Sequence, residues 1–182
     1  GCTTASDFIY VSSYFVGTQG KLNIFGYRLY DEDGNFYSGN GVTIPDGKTL
    51  QPSVIALAAR EAPDGNYWTT YYNSTLGFTI DEEENACAYT ATYGDGKLTL
   101  HKLGKQIPKN TAVIIVADND VVSMTAATDL DDISGTNDLR GVNYDTPVAD
   151  IRSDLGTGTL YVLGMTTVKN EQHFGFHRYT GE

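Results

Sequence analysis

Lys97-Leu98-Thr99-Leu100-His101-Lys102-Leu103 follows the turn pair Asp95-Gly96, and beyond Ile107-Pro108-Lys109-Asn110 comes Ala112-Val113-Ile114-Ile115-Val116. The first run alternates apolar and polar residues, as a half-buried strand does. The last is a short apolar run rich in β-branched residues, as a buried strand is. Asp-Gly supplies the positive φ angles of a tight hairpin turn. Together they read as strand, turn, strand, Ile-Pro turn, strand, and they predict an antiparallel all-β fold.

The same signals extend in both directions. Phe8-Ile9-Tyr10-Val11, Leu22 to Tyr30, Leu160-Tyr161-Val162-Leu163 and Phe174 to Tyr179 all read as strands. Asp33-Gly34-Asn35 marks a second hairpin turn. Val54 to Arg60 reads as two helical turns and fits a buried strand nearly as well, and Asp129 to Ile133 reads as one helical turn. Amphipathic helices of a dozen residues or more are not visible. The expected fold is an antiparallel β-sandwich with room for two small packed subdomains, residues 1–65 and residues 66–182. The break is placed at Glu61-Ala62-Pro63-Asp64-Gly65-Asn66, where Pro, Gly and Asn cluster.

A weak repeat runs through the strands. Phe25-Gly26-Tyr27-Arg28-Leu29-Tyr30, Leu98 to Leu103 and Phe174-Gly175-Phe176-His177-Arg178-Tyr179 share apolar residues at their first, third and sixth places. A Tyr-bearing strand precedes each (Tyr10, Tyr89, Tyr161), and an Ile-Pro pair follows the first two (Ile44-Pro45, Ile107-Pro108). No such pair follows the third within the sequence. This predicts an open sheet edge beside Phe174–Tyr179, where a partner strand could add.

Composition narrows function. The 182 residues carry 23 acidic against 12 basic side chains, a formal net charge of −11. Nucleic acid and anionic membrane surfaces are therefore poor partners. No run of about 18 apolar residues is present to span a bilayer. Cys87 sits among small residues and reads as a buried structural thiol. Gly1-Cys2 resembles the cleavage junction of bacterial lipoproteins, with Cys2 as the lipidated residue; a residue left by tag removal fits Gly1 equally. The first reading places the chain outside the cytoplasm, tethered or secreted.

Few residues point to chemistry. His173 and His177 stand four apart on a strand, about 13 Å, too far to share a metal. Asp31-Glu32-Asp33-Gly34-Asn35 looks like a calcium loop, but Phe36 stands where an EF-hand needs Gly, so the hairpin turn is the better reading. Asp118-Asn119-Asp120 with Asp129, Asp131 and Asp132 offers oxygen ligands for Ca²⁺, a weaker expectation than no cofactor and no metal. No nucleophile elbow or nucleotide loop occurs, and no catalytic residue is expected. The aromatic handle is Tyr67-Trp68-Thr69-Thr70-Tyr71-Tyr72. Alternation sends Trp68 and Tyr72 to one face and Tyr67 and Tyr71 to the other. Trp68 is the favoured core residue, and Tyr67, Tyr71 and Tyr72 are the candidate ligand-binding residues, able to stack on sugar rings. Asn73-Ser74-Thr75 matches a glycosylation acceptor.

Trp68-Thr69-Thr70, Ala88-Tyr89-Thr90-Ala91-Thr92, Ile107 to Ile115, Asn137-Asp138-Leu139-Arg140-Gly141, Leu160 to Gly164 and Phe174-Gly175-Phe176 occur in an order that resembles a β-module of secreted and cell-surface proteins of gut Bacteroidetes. The resemblance covers about residues 66–182. It implies a non-catalytic, adhesion-type interaction module, often found beside leucine-rich repeats, whose partners are host or bacterial surface proteins or glycans. The alternative expectation is a carbohydrate-binding module with aromatic platforms.

Overall fold

The computed structural model describes residues 15–16, 20–45, 47–142, 147–155 and 159–179. The Phe8–Val11 strand and Cys2 fall outside the described residues.

Among the described residues, fifteen strands and one short helix follow in chain order. They are β1 Phe15–Val16, β2 Gly20–Tyr30, β3 Phe36–Ile44, β4 Thr49–Pro52, β5 Val54–Ala58, β6 Arg60–Glu61 and β7 Tyr67–Tyr71. Then come β8 Gly77–Ile80, β9 Ala86–Gly94, β10 Lys97–Gly104, β11 Gln106–Ile107, β12 Val113–Ala117 and β13 Val121–Ala127. Helix α1 (Val148–Leu155) precedes β14 (Tyr161–Val168) and β15 (Glu171–Arg178). All pairings are antiparallel. Val54–Ala58, open between helix and strand in sequence, is a strand because β13 pairs along its whole length. Asp129–Ile133 is not helical. Helix α1, with no counterpart among the sequence expectations, is two turns started by Pro147, whose carbonyl accepts from the Asp150 N–H at 3.0 Å. Its apolar pattern is too short to stand out.

Two sheets make the sandwich. One has the order β10-β9-β12-β7-β6, the other β11-β8-β13-β5. Their facing residues form one core: Ala86, Ala88, Val113, Ile115 and Ala117 from the first, Phe78, Ile80, Val122 and Met124 from the second. The alternation in β9 and β13 is what delivers every second side chain to this layer.

A third sheet, β1-β4-β2-β3, lies on the amino-terminal side. Tyr30 carries it into the sandwich core, with ring centroids 6.3 Å from both Phe36 and Phe78. The Tyr30 hydroxyl donates to Gln51 Oε1 at 2.6 Å and accepts from Asn73 Nδ2 at 2.9 Å. Asn73 Oδ1 accepts from the Thr75 and Leu76 backbone N–H groups. The acceptor motif at Asn73 is thus spent on structure: the side chain closes a turn and ties the two parts together.

The Glu61–Asn66 segment is a hairpin turn, not a linker. Ala62 N–H donates to Asn66 C=O at 2.8 Å, and β6 pairs with β7 across it. Strands β5 and β6 belong to the sandwich sheets, so the change from the amino-terminal sheet to the sandwich sheets comes near Ser53. Pro, Gly and Asn mark a tight hairpin as readily as a linker.

The β14–β15 hairpin forms a fourth, two-stranded sheet. It is seated on the outer face of the five-stranded sheet through Trp68–Phe174 (5.3 Å) and Tyr93–Tyr161 (6.3 Å) ring contacts.

The repeat is real for its second and third copies. In β9–β10, Tyr89 pairs with Lys102 and Thr90 with His101; in β14–β15, Tyr161 pairs with Arg178 and Val162 with His177. Both hairpins turn on two positive-φ residues, Asp95-Gly96 and Lys169-Asn170. The first motif differs, because Phe25–Tyr30 lies in the first strand of its hairpin, not the second.

Candidate functional site

The aromatic run splits between layers. Tyr67 and Tyr71 pack against the core between the sheets, and Tyr71 meets Phe78 edge-on at 5.3 Å. Burial pushes the Tyr71 phenol well above its ordinary pKa. Trp68, expected in the core, points to the opposite face, beneath Phe174. Its indole N–H is buried with no hydrogen-bond partner at normal distance; it lies close enough to Asp64 to help hold that carboxyl low, behind the Asn66 amide and backbone. Tyr72 lies past the end of β7, where its hydroxyl donates a long bond to Asn110 Oδ1 at 3.4 Å. A Cβ on Gly141 would fall 2.0 Å from Tyr72 Cγ, so the Gly141 backbone packs directly against the base of this side chain, where only Gly fits. The three candidate tyrosines are therefore not assembled into one platform. Alternation was legible in the sequence; which face meets the second sheet was not.

An open cleft of about 450 Å³ lies where β9, β10 and β12 end, lined by Asn66, Asn85, Cys87, Tyr89, Lys102 and Asp118 among others. Alternation again explains it. Ala86 and Ala88 turn inward, so Cys87 and Tyr89 turn outward. Cys87 is accordingly a half-buried free thiol, not a core one. Burial, then the neighbouring Cys87, push the Tyr89 phenol above its ordinary pKa. Asn85 Nδ2 donates to Asp118 Oδ2 at 2.9 Å, and Lys105 Nζ donates to the Asp81 and Glu82 carbonyls at 2.9 and 2.7 Å. The cleft thus offers amides, a carboxylate, an ammonium group and one aromatic edge, which suits hydrogen bonding to a polar ligand. Sequence reasoning missed it, because its residues come from four separate stretches of chain.

The histidines serve structure. His101 Nε2 lies 2.7 Å from Thr92 Oγ1, His177 Nε2 lies 2.9 Å from the Gly164 carbonyl, and exposed His173 lies 3.8 Å from Glu171 Oε2. Among the described residues no group of three or more His, Cys, Asp or Glu side chains is placed to hold a metal ion.

The Asp31 loop is a hairpin turn built around one carboxylate. Asp31 is fully buried, and its oxygens accept from the Asp33 and Asn35 backbone N–H groups, the Asn35 amide and the Tyr37 hydroxyl, at 2.8–3.2 Å. Burial pushes this carboxyl up, and the donors from Asn35, Tyr37 and Asp33 together outweigh it, so it is held below the ordinary value. Lys48 bridges Asp33 and Glu32 outside the turn.

A second unassigned surface is the β14–β15 hairpin. Tyr161, Val162, Met165 and Val168 are 41–50% exposed on one uncharged strand. By alternation Tyr161 and Met165 share the face that meets the five-stranded sheet, and Val162 and Val168 share the opposite face.

No protein-family model matches this chain, and no curated protein or solved structure matches it. No helix among the described residues is long and apolar enough to cross a membrane.

Proposed function

We propose that this chain is a non-catalytic interaction module of the adhesion type, working outside the cytoplasm at a bacterial surface or after secretion. Its partner is a host or bacterial surface protein or glycan. The observation that carries the reading is strand β14, which is uncharged, keeps four half-exposed apolar residues and stands at the edge of its sheet on the sandwich. The resemblance to surface modules of gut Bacteroidetes supports the same location and role. The alternative is carbohydrate binding. It is favoured by the cleft of Asn66, Asn85, Tyr89, Lys102 and Asp118, whose polar groups match sugar hydroxyls.

The test is a binding screen of the purified chain against mucins, gut polysaccharides and surface proteins, with Val162→Asp and Tyr89→Ala in parallel. Saturable binding to a protein, lost in Val162→Asp, is the expected result. Glycan binding lost only in Tyr89→Ala promotes the alternative. Turnover of any polysaccharide overturns the non-catalytic reading.

A further inference from the structure

The two hairpins, matched through Tyr89–Lys102 and Tyr161–Arg178, differ in what covers the outer edge of their first strand. Backbone groups of a hairpin strand alternate between facing the partner strand and facing away. In β9–β10 the Gly94–Lys97 pair closes the turn, so Tyr89, Ala91 and Tyr93 face away from β10. All three positions are covered. Strand β12 pairs at Tyr89 through Ile114. Ala91 N–H donates to Asn137 Oδ1 at 3.2 Å, Ala91 C=O accepts from Asp138 N–H at 2.8 Å, and Tyr93 N–H donates to Asp138 Oδ2 at 2.7 Å.

In β14–β15 the Val168–Glu171 pair closes the turn, and Tyr179 N–H donates to Leu160 C=O at the far end, at 2.9 Å. The alternation therefore turns the N–H and C=O groups of Tyr161, Leu163, Met165 and Thr167 away from β15. Among the described residues no strand pairs there. Tyr161 is the register equivalent of Tyr89, the residue that receives β12. The edge equivalent to the one β12 covers on β9 is thus that of β14; the outer edge of β15 beside Phe174–Tyr179 is also unpaired among the described residues, but that strand carries Glu171 and Arg178.

Edge strands are ordinarily guarded by charge, Pro or a covering loop. Strand β14 carries no charged residue and no Pro, in a chain of net charge −11. A two-stranded hairpin is also marginal without a third strand.

We propose that the outer edge of β14 is a strand-acceptor site for an extended apolar segment of a partner protein. The segment runs antiparallel to β14, has the chemistry of Val113–Ala117, and exchanges main-chain hydrogen bonds with Tyr161, Leu163, Met165 and Thr167. The proposal rests on the interaction-module reading and names the recognition mode, β-augmentation, in which the main chain gives affinity and alternate side chains give specificity.

The test uses the full chain and a fluorescein-labelled peptide carrying its own residues 111–120. Anisotropy is expected to show saturable binding, weakened about tenfold or more by Met165→Pro, which deletes one outward N–H and leaves the bonds to β15 in place. Amide hydrogen exchange on the unaltered chain keeps the test open should that variant unseat the hairpin. Peptide is expected to protect the Leu163, Met165 and Thr167 amides while leaving the already paired Val162, Gly164 and Thr166 amides unchanged. Absence of this alternating protection overturns the proposal, as does protection at Tyr89, which would mean the peptide replaces β12. Protection of the same amides by raised protein concentration alone also overturns it, by giving the edge to a second copy. A chain that fails with the peptide but still binds a surface protein in the screen loses the acceptor site and keeps the wider function.

Discussion

Asp31 shows how one side chain can organise a turn. An unpartnered buried carboxylate is heavily penalised, yet this one collects four kinds of donor within six residues of itself. Asp31→Asn keeps the size but aims an amide N–H₂ at donors, leaving some of them unmatched. A loss of roughly 2 kcal/mol in chemical denaturation at neutral pH is expected. The pH dependence follows from the lowered carboxyl. Its contribution is complete above the unfolded-state value of about 4 and fades as pH falls through the lower folded-state value. The stability gap between the natural chain and the Asn variant should therefore close in acid; a gap that stays constant from pH 7 down to pH 3 would contradict this account. The acidic spacing at Asp31–Asn35 displayed the turn in sequence. That Asp31 faces inward and Glu32 outward depends on Tyr37 and Lys48 arriving from later strands, and no local pattern encodes those meetings.

At the scale of elements, the strands and their turns were legible because period-two alternation and Asp-Gly pairs are local signals. Partners were less legible. The Asn137-Asp138 pair belongs to no strand, yet it covers the edge of β9 beyond β12: Asn137 Nδ2 also donates to the Ala112 carbonyl at 2.8 Å, bridging β9 to the start of β12. Asn137→Ala leaves the fully buried Ala91 with an unmatched N–H. Roughly 2 kcal/mol of stability should be lost, with faster hydrogen exchange at the Ala91 and Tyr93 amides. Unchanged exchange there would show that the loop does not guard this edge. The same comparison separates the two open edges of the last hairpin. Sequence order pointed to the edge beside Phe174–Tyr179, which no described strand pairs; pairing in β9–β10 shows that the strand after that hairpin returns to its first strand, the counterpart of β14.

Across the whole molecule, the layers are held to different degrees. The sandwich core is a continuous set of fully buried side chains with Phe78 at its centre. Hairpin β14–β15 rests on that block through two ring contacts and keeps half-exposed apolar residues. Phe78→Ala is expected to cost about 3–5 kcal/mol in global unfolding. Phe174→Ala should cost about 1 kcal/mol, the scale of one aromatic contact, while shifting Trp68 emission to the red. Trp68 is the single tryptophan, so its fluorescence reports the hairpin directly. Equal losses of stability in the two variants would mean that hairpin and sandwich form one cooperative unit.

Strand alternation, turn residues and charge were sufficient for an antiparallel all-β chain of acidic surface, since each acts over a few neighbouring residues. Which face of β7 is core, where Cys87 points, that Glu61–Asn66 turns back within one sheet, and which edge of the last hairpin matches the one β12 covers on β9 came from pairings between distant strands. Register and layer order depend on contacts whose partners lie tens of residues apart, and the main-chain groups that make those pairings are the same in every residue but proline.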